Sequence, residues 1–210
     1  MRASAEEAPR HGAAAGARAD LDATAPPRER VALVRHGHGE MHHDCGNVYV
    51  GQFAHDQRSG RGTYTYACGD TYVGEWKAGI MEGRGTYTWP DDQKFEGEFH
   101  ENRIQGWGKM WFNNGNVYEG EWKYGERGES MEGHGTMTYA CGSVYEGQWA
   151  LGVRPGSGFH MMSSGCMCEG QWEDDCAHGS VWCTFEDGSV YDGQFWKGMR
   201  DGKGTLYHLD

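Results

Sequence analysis

The sequence predicts an all-β chain, an elongated, twisted, single-layer antiparallel β-meander built from repeated hairpins. Three observations carry this prediction. A pentapeptide of the form aromatic-x-Gly-x-aromatic begins at residues 49, 72, 95, 118, 145, 168 and 191, in steps of 23, 23, 23, 27, 23 and 23. Pairs of glycines keep the same period, the long step included. Within both motifs large and polar residues alternate, the two-residue period of a strand whose faces differ. A fixed period of about 20 to 50 residues marks a repeat array, in which each unit buries its face against its neighbours.

Residues 1–34, rich in Ala, Arg, Glu and Pro and lacking apolar periodicity, read as a disordered, low-complexity tail. Five arginines there suggest a transit peptide, and five acidic residues argue against it. The array takes residues 35–210, with about seven repeats of 23 residues. Gly37/Gly39 marks its first strand and Tyr49-Val-Gly51-Gln-Phe53 its second. The two motifs then take turns. Gly60/Gly62 precedes Tyr72-Val-Gly74-Glu-Trp76, and Gly83/Gly85 precedes Phe95-Glu-Gly97-Glu-Phe99. Gly106/Gly108 leads to Tyr118-Glu-Gly120-Glu-Trp122, and Gly133/Gly135 to Tyr145-Glu-Gly147-Gln-Trp149. Gly156/Gly158 precedes Cys168-Glu-Gly170-Gln-Trp172; Gly179, with Val181 in place of its second glycine, precedes Tyr191-Asp-Gly193-Gln-Phe195; Gly202/Gly204 comes last. Eight glycine-pair strands and seven pentapeptide strands make about 15. Turn chemistry separates them: Asn114-Gly115 and Asp187-Gly188 favour positive φ, Cys45-Gly46, Cys68-Gly69, Cys141-Gly142 and Ser164-Gly165 keep the glycine, and Asp91-Asp92 lacks it.

Alternation puts the rings and glycines on one face and residues such as Val73, Glu75, Arg84 and Thr86 on the other. A bare glycine in a strand loses stability unless covered, and a large ring from the adjacent strand can lie across it. The repeat aromatics are therefore expected to pack the array. A base-stacking platform would need a basic groove as well.

The two motifs in one register resemble the MORN (membrane occupation and recognition nexus) repeat family over roughly residues 36–208. The resemblance implies a non-enzymatic protein-protein interaction scaffold or adaptor, such as a structural component of a ciliary or flagellar axoneme of the radial-spoke kind, or a docking partner of motor proteins. It also implies an alternative, a membrane- or phosphoinositide-associated tethering module or an accessory to a signalling enzyme. Homodimerisation through repeat ends or faces fits either.

Charge and motifs narrow these classes. The net charge is −12, and an acidic surface is repelled by nucleic-acid phosphates and anionic lipids. Basic protein surfaces are the expected complement, and the resemblance implies that the partners are cytoskeletal or axonemal proteins. No phosphate loop, nucleophile elbow or fixed acid/base pair is visible, so no catalytic residue and no cofactor are assigned. With no apolar run of about 18 residues and no hydrophobic N-terminal stretch, the chain reads as cytoplasmic, and the resemblance implies a place at the cytoskeleton, including a cilium or flagellum.

Departures from the pattern carry what is particular to this chain. The 27-residue step inserts four residues near 125–131, either as a tolerated loop insertion or as a contact loop. On the polar face Trp107, Lys109 and Trp111 replace the usual Arg, Thr and Thr, and Phe159, Met161 and Trp182 also fall outward. Trp107, Lys109, Trp111, Phe159 and Trp182 are the candidate partner-binding residues, unless sheet curvature covers them. Cys166, Cys168, Cys176, His178 and Cys183 crowd together, a possible metal site without the usual Cys-x-x-Cys spacing. The preferred expectation is reduced thiols without disulfides, Cys168 and Cys183 acting as small buried residues in a more weakly packed sixth repeat that could serve as a joint. His36, His38, His42 and His43 read as solvated histidines on an edge strand or, alternatively, as metal ligands.

Overall fold

The computed structural model describes residues 34–125 and 128–208, so the expected tail lies almost wholly outside the described residues. Among the described residues there are fifteen strands and no helix. They are β1 (Gly37–His42), β2 (Val48–Ala54), β3 (Gln57–Thr65), β4 (Thr71–Lys77), β5 (Ile80–Thr88), β6 (Lys94–His100), β7 (Arg103–Trp111), β8 (Val117–Gly125), β9 (Gly128–Thr138), β10 (Val144–Trp149), β11 (Gly156–Met161), β12 (Met167–Glu173), β13 (Cys176–Thr184), β14 (Val190–Trp196) and β15 (Met199–Tyr207). Each pairs antiparallel with the next, giving one open sheet in chain order.

The register turns the repeat into straight rows across the sheet. Gly39, Gly51, Gly62, Gly74 and Gly85 face one another in sequence, and the row continues to Gly204 with Val181 its single interruption. Beside it runs an aromatic row through Tyr49, Tyr64, Tyr72, Tyr87 and Phe95. Tyr49, Tyr72, Phe95, Tyr118 and Tyr145 are fully buried, although the sheet is a single layer. Their cover comes from the neighbouring units. Tyr72 meets Trp76 of its own strand at 5.2 Å and Phe99 of the next unit at 4.9 Å, both edge-on. Tyr118 and Tyr145 repeat the arrangement with Trp122 and Trp149, and with Trp149 and Trp172, at 5.3 Å. Edge-to-face pairs suit the ring quadrupoles.

The two glycines of each pair serve different needs. The first holds a positive φ, for example 65° at Gly60 and 96° at Gly106, in the bulges that interrupt pairing with the preceding pentapeptide strand. The second has no room for a side chain. A Cβ on Gly135, the second of the pair Gly133/Gly135, would lie 2.3 Å from the Tyr118 hydroxyl and 2.5 Å from its Cζ. The ring that covers it comes from the adjacent strand, as expected, and the same ring also lies over the glycine of its own strand, as Tyr118 does over Gly120. The tyrosine hydroxyl donates to the carbonyl three residues on: Tyr49 to Gln52 at 2.9 Å, Tyr72 to Glu75 at 3.0 Å and Tyr118 to Glu121 at 3.2 Å. Trp76, Trp122, Trp149 and Trp172 donate their indole N–H to the carbonyls of Gly62, Gly108, Gly135 and Gly158. The polar end of nearly every core ring is satisfied, as burial demands.

Burial pushes the Tyr145 phenol from 10.0 up to about 12, and burial likewise raises Tyr72 and Tyr118. A raised phenol pKa in the fold gives stability that is fully present below the unfolded value and lost as pH climbs through the folded one. The urea midpoint is therefore expected to hold steady up to about pH 9 and to fall between about pH 10 and 12. A midpoint that stays level throughout that window would contradict the burial of these hydroxyls.

Turns along the two edges of the sheet differ. On one edge the turns end on a left-handed glycine such as Gly69 or Gly115; Asp92, at φ 66°, takes that position in the turn without glycine. On the other edge, among the described residues, two consecutive left-handed residues close six hairpins: His55-Asp56, Ala78-Gly79, Glu101-Asn102, Leu151-Gly152, Asp174-Asp175 and Lys197-Gly198. These are tight two-residue turns whose twist matches that of the flanking strands. The four-residue insertion departs from the loop conformation expected for it. Instead of a loop it lengthens a hairpin, with Lys123 facing Ser130, Tyr124 facing Glu129 and Gly125 facing Gly128.

Candidate interaction surface

The outward face is built from the positions between the rings and glycines. One row runs Glu40, Val50, Thr63, Val73, Thr86, Glu96, Lys109 and Glu119 across β1 to β8. Around it lies a groove of ≈ 990 Å³, floored by glycines of the central row and closed at one end by Trp107, Lys109 and Trp111. The three bridge charges of both signs: Lys109 Nζ lies 3.0 Å from Glu119, while Lys94 and Lys109 stand over the Trp111 ring at 3.9 and 5.3 Å. Trp107 keeps 49% of its surface exposed, as does Trp182 farther along; Trp111 and Phe159 are half-buried. Sheet curvature therefore leaves the two tryptophans in solvent.

A second row of outward residues has a structural task that the sequence reading missed. The fourth position of each pentapeptide is Glu or Gln. In four of the seven its side chain accepts the amide freed by the positive-φ glycine of the following strand: Gln52 from Arg61 N at 2.8 Å, Glu98 from Trp107 N at 3.3 Å, Glu121 from His134 N at 3.4 Å and Gln148 from Ser157 N at 3.0 Å. The signal was present as Glu or Gln at one position in all seven pentapeptides. Without the bulge in view, those residues look like ordinary surface polarity.

The cysteine expectations need correction. Cys168 and Cys183 face each other across β12 and β13, with Cα atoms 4.2 Å apart, and are joined as a disulfide. Cys166 and Cys176 are free, and the His178 ring nitrogen meets Glu173 at 3.1 Å. Among the described residues no group of three His, Cys, Asp or Glu side chains is arranged to hold a metal ion. The histidines near β1 also diverge, His42 pairing with Glu40 at 2.7 Å and His36 packing on His55.

The sixth repeat is closed by other means rather than left loose. Position 168 has no ring to lie over the glycine row, and Val181 occupies the room that the ring would take, 2% exposed beside Cys183. Over the disulfide, where Cys168, Ala177 and Cys183 are shorter than their counterparts, a groove of ≈ 530 Å³ remains between Met162, Trp172, Phe185 and Phe195.

Stacked hairpins that cover one another's rings, with a free polar face, define a repeat protein of the β-solenoid-like, neighbour-only kind. The MORN repeat model matches residues 49–71, 72–94, 95–117, 118–128, 130–144, 145–167, 168–190 and 191–208, and the chain belongs to the MORN-repeat family. The short segments 118–128 and 130–144 flank the lengthened hairpin. MORN repeats are a protein-interaction module and not in themselves catalytic. A search of curated proteins found no match. Among solved structures, the G-box domain of the microcephaly protein CPAP is similar at 14% identity and a TM-score of 0.47, over 79% of this chain and 82% of that one. The TCP domain of SAS-4 (dCPAP) from Drosophila melanogaster is similar at 9% identity and 0.44, over 82% and 90%. No helix among the described residues is long and apolar enough to cross a membrane.

Proposed function

We propose that the chain is a non-enzymatic scaffold that docks segments of partner proteins on the outward face of its sheet, as a structural component of a cytoskeletal assembly such as a ciliary or flagellar axoneme. The observation that carries the docking role is the groove across β1 to β8 with a half-exposed tryptophan at its end. Exposed aromatic surface forgoes about 1.5–3 kcal/mol per ring of burial, which a partner can recover. The register fixes the rows that such a partner would cross, and a rigid, preformed surface lowers the ordering cost of binding. Support for the cytoskeletal setting comes from the repeat family alone. Trp107→Thr with Trp111→Thr is expected to lower capture of native partners by about tenfold while leaving the unfolding midpoint nearly unchanged. Full retention of every partner by that variant would refute the docking role. Proximity labelling in the native cell tests the setting, and neighbours devoid of cytoskeletal proteins would refute it.

A further inference from the structure

We infer that the outward face of β10 to β14 binds an extended basic segment of a partner protein, one carrying a lysine or arginine at every third residue. The inference deepens the proposed function and rests on its reading of the outward face. Here the central outward row alternates acid and ring: Glu146 on β10 faces Phe159 on β11, then come Glu169 on β12, Trp182 on β13 and Asp192 on β14. The three acids are exposed. In the adjoining row Met161 and Met167, also exposed, face each other and extend the apolar surface.

Two contrasts within the molecule separate this row from ordinary acidic surface. Carboxylates at the fourth pentapeptide position, Glu98 and Glu121, already accept bulge amides, whereas Glu146, Glu169 and Asp192 stand at the second position and have no such task. On the first half of the same face the matching acids are neutralised, Glu96 by Lys94 at 3.8 Å and Glu119 by Lys109 at 3.0 Å. Among the described residues, no basic nitrogen lies within 4.0 Å of Glu146, Glu169 or Asp192. In the central row of the first half Lys109 stands between Glu96 and Glu119, at the position that Phe159 and Trp182 take between their acids. Lys94 and Lys109 stand over Trp111 of the neighbouring row, but among the described residues no cation stands over Phe159 or Trp182. The first half of the face thus carries its own cations beside acid and ring, and the second half leaves both open to an outside cation.

Spacing selects the partner's pattern. Neighbouring strands lie about 4.8 Å apart, so acids on alternate strands recur at about 9.6 Å. A polyproline-type extended chain returns to the same side every third residue, an advance of about 9.3 Å, and needs no backbone partner. Each cation then sits between a carboxylate and the ring one strand away, drawn by both.

Fluorescence anisotropy of a labelled peptide of six Lys-Pro-Pro repeats against the full chain tests this. Saturable binding is expected, weakened about tenfold by Glu146→Gln/Glu169→Gln/Asp192→Asn and about threefold by Trp182→Thr. Glu96→Gln/Glu119→Gln removes charge from the first half of the face and is expected to leave binding within about twofold. A peptide with six contiguous lysines is expected to bind more weakly. Equal loss in the two acid-to-amide variants, or equal binding of the two peptides, would show a general polyelectrolyte attraction and overturn the inference. So would binding that ignores the triple variant. Retention of all native partners by the Trp107/Trp111 variant, with the peptide bound normally, would refute the groove and leave this site standing; loss of native partners there, with peptide binding indifferent to the triple variant, would do the reverse.

Discussion

Tyr145→Ala is expected to lower the unfolding free energy by about 3–5 kcal/mol, the range for emptying a buried aromatic site. The ring is fully buried, edge-on to Trp149 and Trp172, and lies over Gly147 and Gly158. Its removal exposes two glycines that have no side chains with which to refill the space, so relaxation is limited. Trp172 belongs to the next unit, and the loss therefore falls on an interface between repeats. In an array held by nearest neighbours, such a loss uncouples the two sides. Hydrogen exchange is expected to quicken in β10 to β12 while β2 to β5 keep their protection, with a lower urea midpoint for the affected half. A loss below about 1 kcal/mol would mean that the ring is not what joins the units.

Cys168→Tyr is expected to cost at least about 2 kcal/mol when measured with dithiothreitol, although it restores the residue type that most units have. The new ring would be driven into Val181, which stands where the other units have glycine. Cys168→Tyr/Val181→Gly/Cys183→Met rebuilds the set found where Tyr118 faces Met137 over Gly120 and Gly135, and is expected to return to within about 1 kcal/mol of the reduced parent. Strict additivity of the three changes would count against a shared site. The comparison is made in reductant because the native disulfide closes a separation of 15 residues and contributes in its own right.

These two cases show where the sequence was readable. The glycine at each fixed position had to be there for sterics, so Gly51, Gly74 and Gly120 announced the register of the whole sheet, and fifteen strands followed. Val181 stood out as the one missing glycine, but its partner in the exception, Cys168, became intelligible only once the two were seen to share one space. The disulfide was missed because compartment arguments concern average conditions, whereas the pairing depends on two Cα atoms brought opposite each other. The lengthened hairpin after Trp122 was misjudged for a simpler reason: the 27-residue step gives the number of inserted residues and not whether they pair with one another. Outward tryptophans were found as deviations from Thr and Arg. The Glu and Gln at the fourth pentapeptide position escaped because a polar residue on a polar face deviates from nothing.

In this sheet each strand pairs only with its predecessor and successor in the chain. Contact order is accordingly low for an all-β protein, and no strand has to wait for a distant part of the polypeptide. During synthesis, each hairpin can close soon after its second strand leaves the ribosome, and the next unit then supplies the ring that seals it. The most recently made edge is the one to which the next strand adds, so growth of the nascent chain and growth of the sheet proceed in the same direction.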